Sequence, residues 1–119
     1  MANAERGEVV VKLGSEEWVV RPSFDFICGV EEATGRSILE LVENIRSIRL
    51  TDIVLIIHEG IKSTKPALPP TKAVVGALAV KAGVTKLLPV AANILSAALG
   101  VGTDDDEEPP QGNVGAPSA

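Results

Sequence analysis

Residues 7–41 read GEVVVKLGSEEWVVRPSFDFICGVEEATGRSILEL. This stretch sets the architecture: a hairpin, a helix that stops at a glycine, and a second helix that opens on a serine. The hairpin covers residues 8–21. Its two Val-rich runs, 8–13 and 16–21, flank Gly14-Ser15, a two-residue loop whose leading glycine suits a type II′ turn. That turn fixes the register. Leu13 faces Glu16, Lys12 faces Glu17, Val11 faces Trp18, Val9 faces Val20 and Glu8 faces Arg21. One face then holds Val9, Val11, Trp18 and Val20. The other sets opposite charges across from each other, Lys12 with Glu17 and Glu8 with Arg21. A lone two-stranded ribbon is marginal in water, so its Val/Trp face should pack on helices.

Five helices are expected beyond the hairpin. The first runs over 22–34, with Pro22 at its start and Gly35 in the left-handed position after its end. Phe26, Ile27, Val30, Ala33 and Thr34 make its apolar stripe, with Glu31 and Glu32 outward. The second runs over 37–47 and opens with a capping box, Ser37 to Glu40. Its Ile38, Leu41, Val42 and Ile45 follow the i, i+3, i+4, i+7 spacing. The third spans 51–61 with Asp52 in its first turn, where an acid is favoured. Ile53 to Ile57 and Ile61 make it apolar nearly all round, the signature of a central buried helix. Residues 62–70, KSTKPALPP, form a linker, because proline removes a donor and clashes inside a helix. The fourth helix covers 71–82 and stops at Gly83. The fifth covers 85–99 and stops at Gly100, with Pro89 in or near its first turn.

The expected fold is therefore α+β: an N-terminal two-stranded antiparallel hairpin packed on a bundle of about five helices, with a disordered acidic C-terminal tail. Residues 1–102 form the single domain. Residues 103–119, acidic and then rich in Pro and Gly, form the tail. The chain has 119 residues, with 16 acids and 11 bases. Five of the acids are Asp104 to Glu108, so the remainder carries 11 acids against 11 bases. A balanced body without a basic stripe argues against nucleic acid, and so does the scarcity of aromatics for stacking bases. Residues 1–7 are polar, so no secretory signal is expected, and a single cysteine excludes an internal disulfide and fits a reducing compartment.

No residue cluster points to catalysis, a metal or a cofactor. His58 is expected at the end of the third helix as a structural or surface residue, since a metal site needs several ligands at fixed spacing. Cys28 reads as a buried, inert thiol lacking a base to activate it. Glu16-Glu17 and Glu31-Glu32 are sequence neighbours whose side chains diverge, so they make no carboxylate pair for hydrolysis. Asp104 to Glu108 lacks the turn glycine and spaced ligands of a calcium loop, and reads as a solubilising or partner-steering tail. The uncharged run 87–103 is too short for a membrane span of about 20 residues and contains Pro89 and Asn93. Helices four and five are rich in Ala, Val and Leu. Their apolar surface either completes the bundle or offers a partner site, in which case Leu87, Leu88, Val90, Ala91, Ile94, Leu95 and Leu99 carry the contact.

Several short pieces share an order and spacing with one known family. They are Arg6-Gly7-Glu8-Val9, the strand-turn-strand, Arg21-Pro22-Ser23-Phe24, Glu31 to Arg36, Leu88-Pro89-Val90-Ala91 and Ala97-Ala98-Leu99-Gly100. Together they resemble the tail assembly chaperones of long-tailed phages and of gene transfer agents, encoded before the tape measure protein. The resemblance implies a non-enzymatic role in the bacterial host cytoplasm. It further implies binding of the tape measure protein, and of tail tube protein or other copies of the chain, while the tube polymerises. The alternative it leaves open is a structural tube or minor tail protein retained in the particle. Such a protein would be expected to add its hairpin to a neighbour's sheet.

Overall fold

The computed structural model describes residues 7–100; the expected tail over 103–119 lies outside them. The order is β1 (Val9–Leu13), β2 (Glu16–Val20), α1 (Phe24–Thr34), α2 (Ile38–Glu43), α3 (Leu50–Ser63), α4 (Lys72–Ala82) and α5 (Val84–Ala98). The α+β hairpin-and-bundle architecture is the one expected.

The hairpin register runs from Val9 opposite Val20 to Leu13 opposite Glu16, as the turn chemistry dictates. Gly14 takes φ +64°, a value that carries a steric cost for a residue with a Cβ. Val11, Leu13 and Val20 are fully buried against the helices, so Leu13 joins the face expected for Val9, Val11, Trp18 and Val20.

α3 is the centre. It packs against β2, α1, α4 and α5, and Ile56, Ile57 and Ile61 are completely buried. Each such side chain contributes about 1.5–3 kcal/mol relative to exposure. Close approach needs a glycine here. A Cβ on Gly60 would lie 3.2 Å from Val20 Cγ1, so β2 rests directly on the α3 backbone.

Local chemistry explains the helix ends and moves several of them. Ser23, not Pro22, caps α1: its Oγ accepts from the Phe26 N–H at 3.4 Å. Gly35 ends α1 at φ +71°. Ala33 is exposed rather than part of the apolar stripe, and Glu31 is not turned outward. Its Oε2 accepts the Ile38 N–H at 3.0 Å, supporting the start of α2. Ser37 Oγ accepts from the Glu40 N–H at 3.0 Å, the first half of the capping box. Glu40's carboxylate pairs with Arg36 instead of completing it. α2 is one turn shorter than expected. At Asn44 it yields to turns, where the Asn44 side chain donates to the Glu40 carbonyl at 2.9 Å and competes with the helix. α3 starts one residue earlier and ends two residues later than its Ile/Val pattern suggested. Pro89 is the sixth residue of α5, beyond the first turn.

Candidate functional site

The first distinctive site is a charge cluster at the start of α3. Asp52 is fully buried. Arg49 grips it with both arms, Nε to Oδ2 at 3.1 Å and Nη2 to Oδ1 at 2.8 Å. Arg36, from the α1–α2 connection, adds Nε to Oδ2 at 3.2 Å and turns Nη1 to Glu40 Oε2 at 3.0 Å. The hydrogen bond and charge of Asp52 raise the Arg49 pKa above its ordinary value. Two guanidinium groups against two carboxylates leave the cluster neutral. It lines a cleft with Asn44, Ser47 and Ile48, but its charges are already spent on each other. Its action is to clamp the α1–α2 connection to α3. The sequence shows Asp52 as a first-turn acid; its partner Arg49 lies only three residues before it, whereas Arg36 is brought to it by the fold.

The second site is apolar. Leu50, Val54 and Leu55 of α3 and Ala73, Gly76 and Val80 of α4 line an open groove of about 380 Å³, with Lys72 at its rim. Val80 is 63 % exposed and Val74 48 %. The cause lies in the α4 sequence, KAVVGALAVKA, which is apolar on every side. A helix of that kind is normally buried all round. Here Val75 and Ala79 are buried in the core and Leu78 packs against it, while Ala73, Val74 and Val80 are left exposed.

α5 behaves differently. Of the seven residues expected to meet a partner, Leu87, Ala91, Ile94 and Leu95 are buried in the core. Leu88, Val90 and Leu99 are half-buried and packed against it. α5 completes the bundle, touching α3, β1, α2, α1 and α4. In the monomer its apolar face is occupied, and the open apolar surface belongs to α4 and the start of α3.

The remaining candidates fall as follows. His58 sits in the middle of α3, not at its end. Its Nδ1 is buried without a hydrogen-bond partner and lies 3.8 Å from Glu59 Oε2. Cys28 is exposed, correcting the expectation of a buried thiol. It shares the outer face of α1 with Phe24, Asp25 and Glu32, because the stripe of Phe26, Val30 and Thr34 takes the inner face. Among the described residues, no three His, Cys, Asp or Glu side chains are placed to hold a metal ion. No described helix is long and apolar enough to cross a membrane.

Structure and sequence thus define a small α+β domain whose distinctive features are a structural charge clamp and an uncovered apolar surface. The chain belongs to the family described as phage tail tube protein, GTA-gp10, which it matches over residues 6–101. No curated protein and no solved structure matches the chain. The family description upholds the phage and gene-transfer-agent tail association. It corrects the chaperone expectation, because the family is a tail tube family and corresponds to the alternative of a structural protein.

Proposed function

We propose that the chain is a structural subunit of the tail tube of a phage-like particle and stays in the finished particle. The observation that carries this reading is the family match across residues 6–101, which takes in every element of the fold. A tube subunit must contact its neighbours, and the open apolar surface of α4 supplies area for such contacts. The described residues form a single two-stranded sheet, so contacts through helices suit this chain better than a continuous sheet around a tube. The role needs no chemistry, and we take the protein not to be an enzyme. The tape measure protein would be met as the filament that the tube encloses, during assembly in the host cytoplasm.

Quantitative mass spectrometry of purified particles tests this. Many copies per particle, in proportion to tail length, are expected. Particles free of the protein, with abundant protein in the producing cells, would overturn the proposal.

A further inference from the structure

Charge is segregated along the folded chain. From Gly60 to Thr103 there are five lysines, Lys62, Lys65, Lys72, Lys81 and Lys86, and no acid. α1 is the opposite: it holds Asp25, Glu31 and Glu32 and no base. The balance of the whole body conceals a basic C-terminal half and an acidic α1.

Each half also carries its own apolar feature. Phe24, the first residue of α1, is 74 % exposed, an aromatic side chain standing in water next to Asp25. The groove between α3 and α4 is apolar, with Lys72 at its rim and Lys81 exposed next to Val80. The two features lie at opposite ends of α3. Arg36, just past the end of α1, binds Asp52 in the first turn of α3. A Cβ on Gly29, midway along α1, would run into the Glu59 side chain in the last half of α3. α1 therefore runs antiparallel to α3. Phe24 lies toward the C-terminal end of α3, and the groove is built on its N-terminal end, Leu50 to Leu55. The 14 residues of α3 put about 20 Å between them.

We propose that the α3–α4 groove receives the outer face of α1 from a second copy of this chain. Phe24 of one copy fills the groove of the next, and Asp25 and Glu32 approach Lys72 and Lys81. An aromatic anchor in an apolar pocket supplies the affinity, and the opposite charges fix the orientation. Knob and socket are different surfaces at different ends of one molecule, so the contact is heterologous. Such contacts run head to tail, closing into rings or continuing as filaments. The proposal rests on the tube reading for the idea that copies meet; the two surfaces come from this chain alone.

The test uses the full chain and two exposed-site variants, Phe24→Asp and Val80→Asp, followed by sedimentation velocity over a range of concentrations. The wild-type chain is expected to associate beyond a dimer. Each variant alone should associate at least about tenfold more weakly, as for loss of an interface anchor. An equimolar mixture should stop at a 1:1 heterodimer, because one variant keeps the socket and the other the knob. A wild-type chain that stays monomeric, variants that associate normally, or a mixture that stays monomeric would each overturn the proposal. Circular dichroism on both variants checks that the fold is intact. If particles contain many copies but incorporate Phe24→Asp normally, this contact is wrong and the tube reading stands. If particles contain none, the tube reading falls, whatever the sedimentation result.

Discussion

Arg36 and Asp52 lie 16 residues apart and meet at 3.2 Å, joining the α1–α2 connection to the first turn of α3. Asp52 has no exposed surface and receives a further two-armed contact from Arg49. Asp52 is buried while the Arg36 and Arg49 side chains are partly exposed, so solvent screens the pairs and their net contribution is modest. Asp52→Asn keeps the shape and removes the charge. It is expected to lower stability by about 1–3 kcal/mol in urea unfolding. A midpoint equal to that of the wild type would show that the clamp contributes nothing.

Two glycines should respond in opposite directions to alanine. At Gly60 the new Cβ would lie 3.2 Å from Val20 Cγ1 and 3.5 Å from Ile94 Cδ1, in a packed core. Overpacking of this kind costs about 1–3 kcal/mol. At Gly76 the nearest heavy atom would be Val54 Cγ1 at 3.8 Å, an ordinary contact. Gly76→Ala should therefore stabilise by up to about 1 kcal/mol through helix propensity. Thermal unfolding of the two variants reads the sign directly.

α4 and α5 look alike in composition but should differ under mutation. Leu95 is fully buried, and Leu95→Ala should cost about 2–5 kcal/mol. Val80→Asp, on the open side of α4, should change monomer stability by no more than about 0.5 kcal/mol. A Val80→Asp variant that unfolds would mean the outer side of α4 is covered in the monomer.

Cys28 gives a simple check on α1. An exposed thiol should react fully with a coloured disulfide reagent in the native protein, without denaturant. Reaction that requires urea would place Cys28 inside, as its neighbours in sequence suggest.

The hairpin register was legible because its information is local, although Leu13 was left off the core face it joins. Gly14-Ser15 set the turn, alternation set the faces, and opposite charges agreed with both. The α1 end at Gly35 and the centrality of α3 were equally plain, since one follows from backbone sterics and the other from an apolar run. α2 was misjudged in length because its spacing continues through Ile45 while Asn44 bonds back to the helix and ends it. Cys28 was misplaced because a small thiol beside an apolar stripe is decided by a rotation of about 100° per residue. The candidate site was legible only in part. Sequence left open whether the apolar surface of α4 and α5 completes the bundle or stays uncovered, because the two helices share a composition that cannot say which of them fills the core.

The sequence by itself determined the order of elements, the strand register, the glycine stops and the segregation of lysines from acids, all set by neighbours in the chain. Tertiary structure alone decided that α5 is buried and α4 half-open, that Arg36 reaches Asp52, and that Phe24 and the groove lie at opposite ends of α3. Those outcomes depend on which surfaces meet across long separations. α5 packs against α3, α4, β1, α1 and α2 and buries Leu87, Ala91, Ile94 and Leu95, whereas α4 buries Val75 and Ala79 and leaves Val74 and Val80 exposed.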